Sequence, residues 1–218
     1  MTTNEFRFYT SLGLVELTGQ KARNVSELVE IIKQVDDSSI FYHTHRYLRE
    51  YHFLKEECSS DFGQWAFDSV QEMALGEKLA NIDILNFTDI KSLREAITAV
   101  LEDYILSGVR IWNVPSGKEL HFCRLVSVIM PTKYVATDLG EFSHALKNIS
   151  INSLYFHLFE ARLRLGRKTN DFSHWIEDAL GNPPLARSIE ALDPYNHTLN
   201  ELRTKIIDLI ERHTGTQR

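Results

Sequence analysis

Phe6 to Leu17 and Leu120 to Met130 are rich in aromatic and β-branched residues and alternate in part between apolar and polar positions, as at Leu120, Phe122, Val126 and Val128. A period of two marks strands with one half-buried face. After each strand the period changes to that of a helix. Val25, Leu28, Val29, Ile32 and Val35 fall on one helical face, as do Leu139, Phe142, Leu146 and Ile149. Both helices open with the same signal, Asn24-Val25-Ser26-Glu27 and Asp138-Leu139-Gly140-Glu141. In that pattern a cap side chain accepts from the first turn and the Glu three residues on reaches back. A second helix is predicted from Ile40 to Lys55, matched by Leu154 to Gly166. Asp61 and Asp171 are the expected N-caps of third helices carrying Trp65 and Trp175, ended by Gly76 and by Gly181-Asn182-Pro183-Pro184. Last helices begin near Ser92 and at Thr198, where Thr198-x-x-Glu201 reads as a capping box.

The two halves therefore list the same elements in the same order. At a spacing of 114 positions Glu5, Phe8, Thr18, Ala22, Glu27, Lys33, Ser39 and His43 recur identically as Glu119, Phe122, Thr132, Ala136, Glu141, Lys147, Ser153 and His157. With four residues dropped after the second helix, Asp61-Phe62 and Trp65 meet Asp171-Phe172 and Trp175. The expected fold is mostly α (α+β): two tandem, pseudo-twofold-related helical units, 1–108 and 109–218, packed as one body with a small antiparallel sheet. Val109 to Val114 and Pro115-Ser116-Gly117-Lys118 read as a hairpin strand and turn that join this sheet. So few strands leave apolar surface for a second chain to cover, hence the expectation of a homodimer.

The segment Ser39-Ile40-Phe41-Tyr42-His43-Thr44-His45-Arg46-Tyr47-Leu48 with Asp61-Phe62-x-x-Trp65, preceded by Leu17-Thr18-Gly19-Gln20-Lys21-Ala22-Arg23-Asn24, resembles a bacterial family known only as a domain of unknown function. The resemblance runs over most of the chain. It implies a soluble bacterial protein and carries no activity.

Composition narrows the function classes. With 218 residues, 43% hydrophobic and 25% charged, the chain has the makeup of a soluble globular protein. A net charge of −6 argues against nucleic-acid or anionic-lipid partners. The N-terminus lacks a basic start followed by an apolar run, and no stretch approaches the ~20 apolar residues of a membrane span, so a cytoplasmic location is expected. Cys58 and Cys123 lie far apart in sequence and are read as free thiols. Gly13 to Lys21 departs from phosphate-loop spacing, and no nucleophile elbow or dinucleotide fingerprint occurs. No cofactor is expected.

Candidate chemistry is sorted by what the repeats share. His43 recurs as His157, which favours a structural role. His45, Arg46, Arg49 and His52 correspond to Phe159, Glu160, Leu163 and Gly166, so the repeats part company there. At ~100° per residue these four cover one helix face opposite the apolar arc of Ile40, Thr44, Tyr47 and Leu48. Cationic donors so placed suit a carboxylate or phosphate. No metal is expected, because His43, His45 and His52 lack the spacing of three or four that lets one helix chelate; His121, His144 or Asp61 would have to complete a site. The favoured reading is a non-catalytic binding or regulatory module recognising a small anionic metabolite or a protein partner through His45, Arg46, Arg49 and His52. The alternative is a hydrolase or transferase with His43 or His45 as general base and Asp61 orienting it.

Overall fold

The computed structural model describes residues 5–50, 60–161, 166 and 169–216, with the side chains of 49, 50 and 216 excepted. Strand β1 (Phe6–Ala22) leads into helices α1 (Val25–Gln34), α2 (Asp37–Glu50) and α3 (Asp61–Trp65). A π-helical turn over Ala66–Val70, α4 (Met73–Ala80) and α5 (Ile90–Leu106) follow. The order then repeats with β2 (Leu120–Ala136), α6 (Leu139–Asn148), α7 (Ile151–Tyr155) running into a π-helical turn at Phe156–Glu160, α8 (Asp171–Asp178), α9 (Pro183–Glu190) and α10 (Leu199–Thr216). The protein is mostly helical, with β1 and β2 paired as a small antiparallel sheet.

The chain forms two compact units, a continuous one of residues 13–126 and a split one made of 1–12 with 127–218. Each strand thus begins in one unit and ends in the other, whereas a division at 108/109 would leave each strand whole. The burial patterns of β1 and β2 show the consequence: both strands are buried at their ends and largely exposed in the middle. In the split unit the start of β1 brings Phe6 and Phe8 against Phe142, His157 and Phe172, with ring centroids 5.0–6.2 Å apart. In the continuous unit the start of β2 brings Phe122 against His43 at 5.5 Å and Phe62 at 6.2 Å. Register is held by a threonine in each unit. Thr18 Oγ1 donates to the Phe122 carbonyl at 2.9 Å, and Thr132 Oγ1 to the Phe8 carbonyl at 2.8 Å.

The caps of α1 and α6 form as the pattern predicts, with Asn24 and Asp138 accepting from the amides of Glu27 and Glu141. Each Glu reaches one residue past the cap, to the amides of Arg23 and Thr137. Three boundaries differ from expectation. Ser60 and Asn170, not Asp61 and Asp171, cap α3 and α8, accepting from Gly63 and Ser173. Asp89 rather than the Ser92 region opens α5, accepting from the Ser92 amide at 2.8 Å. Gly76 lies inside α4, where a Cβ would stand 2.8 Å from the Phe67 ring, so its absent side chain serves close packing and not helix termination. The expected hairpin strand is also absent: residues 109–114 are irregular and meet β1's end through the Val114 amide on the Arg23 carbonyl. The turn after it does form, with Gly117 at φ 86° and the Lys118 amide on the Pro115 carbonyl.

Candidate functional site

Moving the cap to Ser60 places Asp61 on the first turn of α3, where its carboxylate is free to turn toward α2. One oxygen, Oδ2, meets His43 Nδ1 at 2.7 Å, and the other, Oδ1, accepts from Arg46 Nε at 2.9 Å and Nη2 at 2.8 Å. His43 and Arg46 are three apart, so one face of α2 presents both to the same carboxylate. On the far side of the imidazole, Nε2 accepts from the backbone amide of Cys123 at 2.9 Å. An acceptor role for Nε2 puts the proton of neutral His43 on Nδ1, donated to Asp61. Ser39, one turn earlier on α2, donates to the Cys123 carbonyl at 2.7 Å. Ser39 and His43 together therefore satisfy both backbone groups of Cys123, as a neighbouring strand would.

The split unit builds the same arrangement from the other half of the sequence. His157 Nδ1 meets Asp171 Oδ2 at 2.9 Å, its Nε2 accepts from the Tyr9 amide at 2.8 Å, and Ser153 donates to the Tyr9 carbonyl at 2.5 Å. A His–Asp pair with an orienting carboxylate resembles a catalytic dyad, yet the lone pair that a general base would use is already engaged with a peptide N–H. Both histidines bridge a carboxylate to a strand amide.

The units differ at Arg46. Its counterpart Glu160 is buried and accepts from Ser11 at 2.8 Å, whereas the Arg46 side chain is 34% exposed and lies 5.5 Å from the Tyr42 ring centroid. Arg46 and Asp61 sit at a depression of about 330 Å³ in the continuous unit, with Gln64, Asp68 and the exposed His121 also on its wall. Gln64 Nε2 donates to Asp68 at 2.5 Å. Cys123 borders the same space; burial pushes its thiol up, the Asp61 charge adds to that, and Arg46 opposes it. A ligand here would meet donors from Arg46 and His121 and acceptors from Asp61 and Asp68.

Of the four residues expected to share a solvated face, two have described side chains, and of these Arg46 is brought to this site. His45 is a correction: it is 2% exposed, stacked on Phe41 at 4.5 Å and bonded through Nδ1 to Thr44 Oγ1 at 2.8 Å. Residues 39–45 of α2 are buried on every side, so the helix has no solvated face in that stretch. His52 and the Arg49 side chain lie outside the described residues. Among those residues no three His, Cys, Asp or Glu side chains are grouped to hold a metal ion, and no helix is long and apolar enough to cross a membrane.

A family model matches residues 3–211. The chain belongs to DUF5752, a family of unknown function. Among solved structures it is similar to OrfY from Thermoproteus tenax, with 25% identity, 95% of this chain and 94% of that chain covered, and a TM-score of 0.83. No curated protein matches.

Sequence reasoning assigned no site role to Tyr42, Gln64 or Asp68, and it named His121 only as a residue that could complete a metal site. None lies within the diverged helix face. The usable signal was the comparison of repeats: Gln64 corresponds to His174, Tyr42 to Phe156 and His121 to Arg7, all changes of polar character at matched positions.

Proposed function

We propose that the protein is a non-catalytic binding or regulatory module whose recognition site is the depression beside Arg46 and Asp61, and that it takes a small anionic metabolite or an acidic group of a protein partner. The observation that carries this reading is Arg46 itself: a half-exposed guanidinium, fixed by a carboxylate at its back, at the one matched position where the other unit buries a glutamate. A guanidinium held in place loses little entropy on engaging a ligand oxygen. Engagement of both His43 ring nitrogens weighs against the hydrolase or transferase alternative.

The reading extends to origin and setting. The two halves descend from one duplicated unit, supported by matching burial patterns of β1 and β2 and by the paired Ser–His–Asp arrangements. The setting is a bacterial cytoplasm, with neither nucleic acid nor membrane as partner. A second copy of the chain covers part of the exposed strand surface, where Leu14 and Leu17 stand 59% and 68% exposed. Light scattering checks that point: a mass near double 25.2 kDa supports it, and a monomer at every concentration removes it.

Thermal denaturation with inorganic phosphate, citrate and a set of dicarboxylates tests the site. Wild type should be stabilised by at least one of these anions and Arg46→Gln by none. An anion shift retained in full by Arg46→Gln would sink the proposal.

A further inference from the structure

Segment 110–115, between α5 and β2, packs back on the helices before it. Together with Glu72 at the start of α4 and Tyr104 of α5 it encloses a second concavity of about 260 Å³ within the continuous unit. We propose that this concavity is a binding site for a neutral saccharide ring, with Trp112 as its stacking platform. The inference does not depend on the Arg46 depression, with which this site shares only Ser69.

Three features set the site apart from an incidental dent. Gln71 stands in the left-handed region at φ 61°, at the position that corresponds to Gly181, whose φ is also 61°. Where the second half of the chain uses the residue this conformation favours, the first carries a side chain that strains the backbone. The reversal at Gln71 follows a π-helical turn, a feature common beside functional sites, and it directs the chain so that Glu72 meets Tyr104. The third feature is Trp112, which is 62% exposed at the wall of a concavity when the other two tryptophans, Trp65 and Trp175, are buried.

The charges decide the ligand class. The Arg110 guanidinium lies over one face of the Trp112 ring at 4.0 Å from the centroid, so a cationic ligand on the other face would meet a like charge across the ring, whereas a neutral one would not. An anion would meet the Glu72 carboxylate. Glu72 and burial together hold the Tyr104 proton to about 12, with burial the larger cause, so the phenol remains a donor at any physiological pH. In the second repeat the matched pair is Asn182 and His213, joined at 2.7 Å; the link between helices is common to both units, while the carboxylate is particular to this one. What remains favoured is a neutral ligand with many hydroxyls. Planar side chains that pair donors with acceptors, here Gln71, Glu72, Asn113 and Arg110, suit vicinal hydroxyls, and Asn113 is already oriented by Asn24 Nδ2 at 2.7 Å. One aromatic plate suits the C–H face of a sugar ring, whereas a flat base gains most from a slot between two plates. At 260 Å³ the space lies just below the ~300 Å³ at which pockets for drug-sized ligands begin, which limits it to about one ring.

The test titrates the uniformly ¹⁵N-labelled full chain with methyl glucoside, methyl galactoside, N-acetylglucosamine and maltose, with tetramethylammonium, inorganic phosphate and adenosine as comparison probes. A saturable shift of the Trp112 indole N–H and of the Gln71 and Asn113 side-chain amides is expected with at least one saccharide, and none with the comparison probes. Trp112→Ala should weaken that binding about tenfold or more, and Gln71→Gly should weaken it without lowering the melting temperature. Absence of any response to the saccharides overturns the proposal. So does saccharide binding that survives Trp112→Ala in a folded variant, or a response to tetramethylammonium, phosphate or adenosine that exceeds that to the sugars.

Discussion

At the residue scale the governing fact is that an imidazole has two nitrogens and His43 has committed both. Its Nδ1 proton is held by Asp61 and its Nε2 lone pair by the Cys123 amide. His43→Ala removes a packed ring, orphans a peptide N–H and strips Asp61 of a partner. A loss of about 2–4 kcal/mol in urea unfolding is expected, with a similar loss for His157→Ala in the matching position. A His43→Ala protein of wild-type stability would refute the strand-holding role. Arg46→Gln should cost far less, about 0.5–1 kcal/mol, because the pair is partly open to water. The residue-level division made from sequence treats shared residues as scaffold and diverged ones as candidates; His43 has both ring nitrogens bonded, and Arg46 borders a depression. The division misplaces His45. A helical wheel assumes one buried face, and α2 over residues 39–45 is enclosed all round by partners the wheel cannot see.

Elements are set by local chemistry wherever that chemistry is self-contained. The α1 cap is an example, and Asn24→Ala should lower stability by about 1 kcal/mol. Hydrogen bonds from the Arg23 side chain, then from its amide, hold the Glu27 carboxyl below the ordinary value of about 4.3. A depressed carboxyl contributes stability that is fully present above its unfolded value and is lost as pH falls through the folded one. Melting temperature followed from pH 7 to 3 should therefore fall less steeply for Glu27→Gln than for wild type below about pH 4.5. Gly76 tests a contact of another kind. Gly76→Ala forces a Cβ onto the Phe67 ring and should cost about 1–3 kcal/mol, much of it regained with Phe67→Leu. That need was not legible from sequence, because a glycine inside a helix reads as a stop unless the ring packed against it is known. The shift of the third helix caps from Asp61 and Asp171 to Ser60 and Asn170 has the same origin: each segment offers two adjacent capping residues, and the histidine across the core selects which of them turns inward.

At the scale of the whole molecule, each unit is completed by the start of the strand that opens the other half of the chain. The start of β2 lies with the helices of the first half, and the start of β1 with those of the second. If a protease site is inserted in the exposed turn at Ser116–Gly117 and cleaved, the two fragments should stay associated on gel filtration and separate only in denaturant. Fragments that separate in native buffer would contradict the exchange. The amino-acid sequence by itself determined the order of elements, the faces that seek a core and the residues common to both halves, since periodicity and capping act within a few residues of chain. Only the tertiary structure decided which half each strand start would complete, that His43 would bridge Asp61 to the Cys123 amide, and that Arg46 would face water while Glu160 did not. Those outcomes depend on contacts between residues some 80 to 150 positions apart, such as His43 with Cys123 and Tyr9 with His157, and the pattern along the chain carries no term for them.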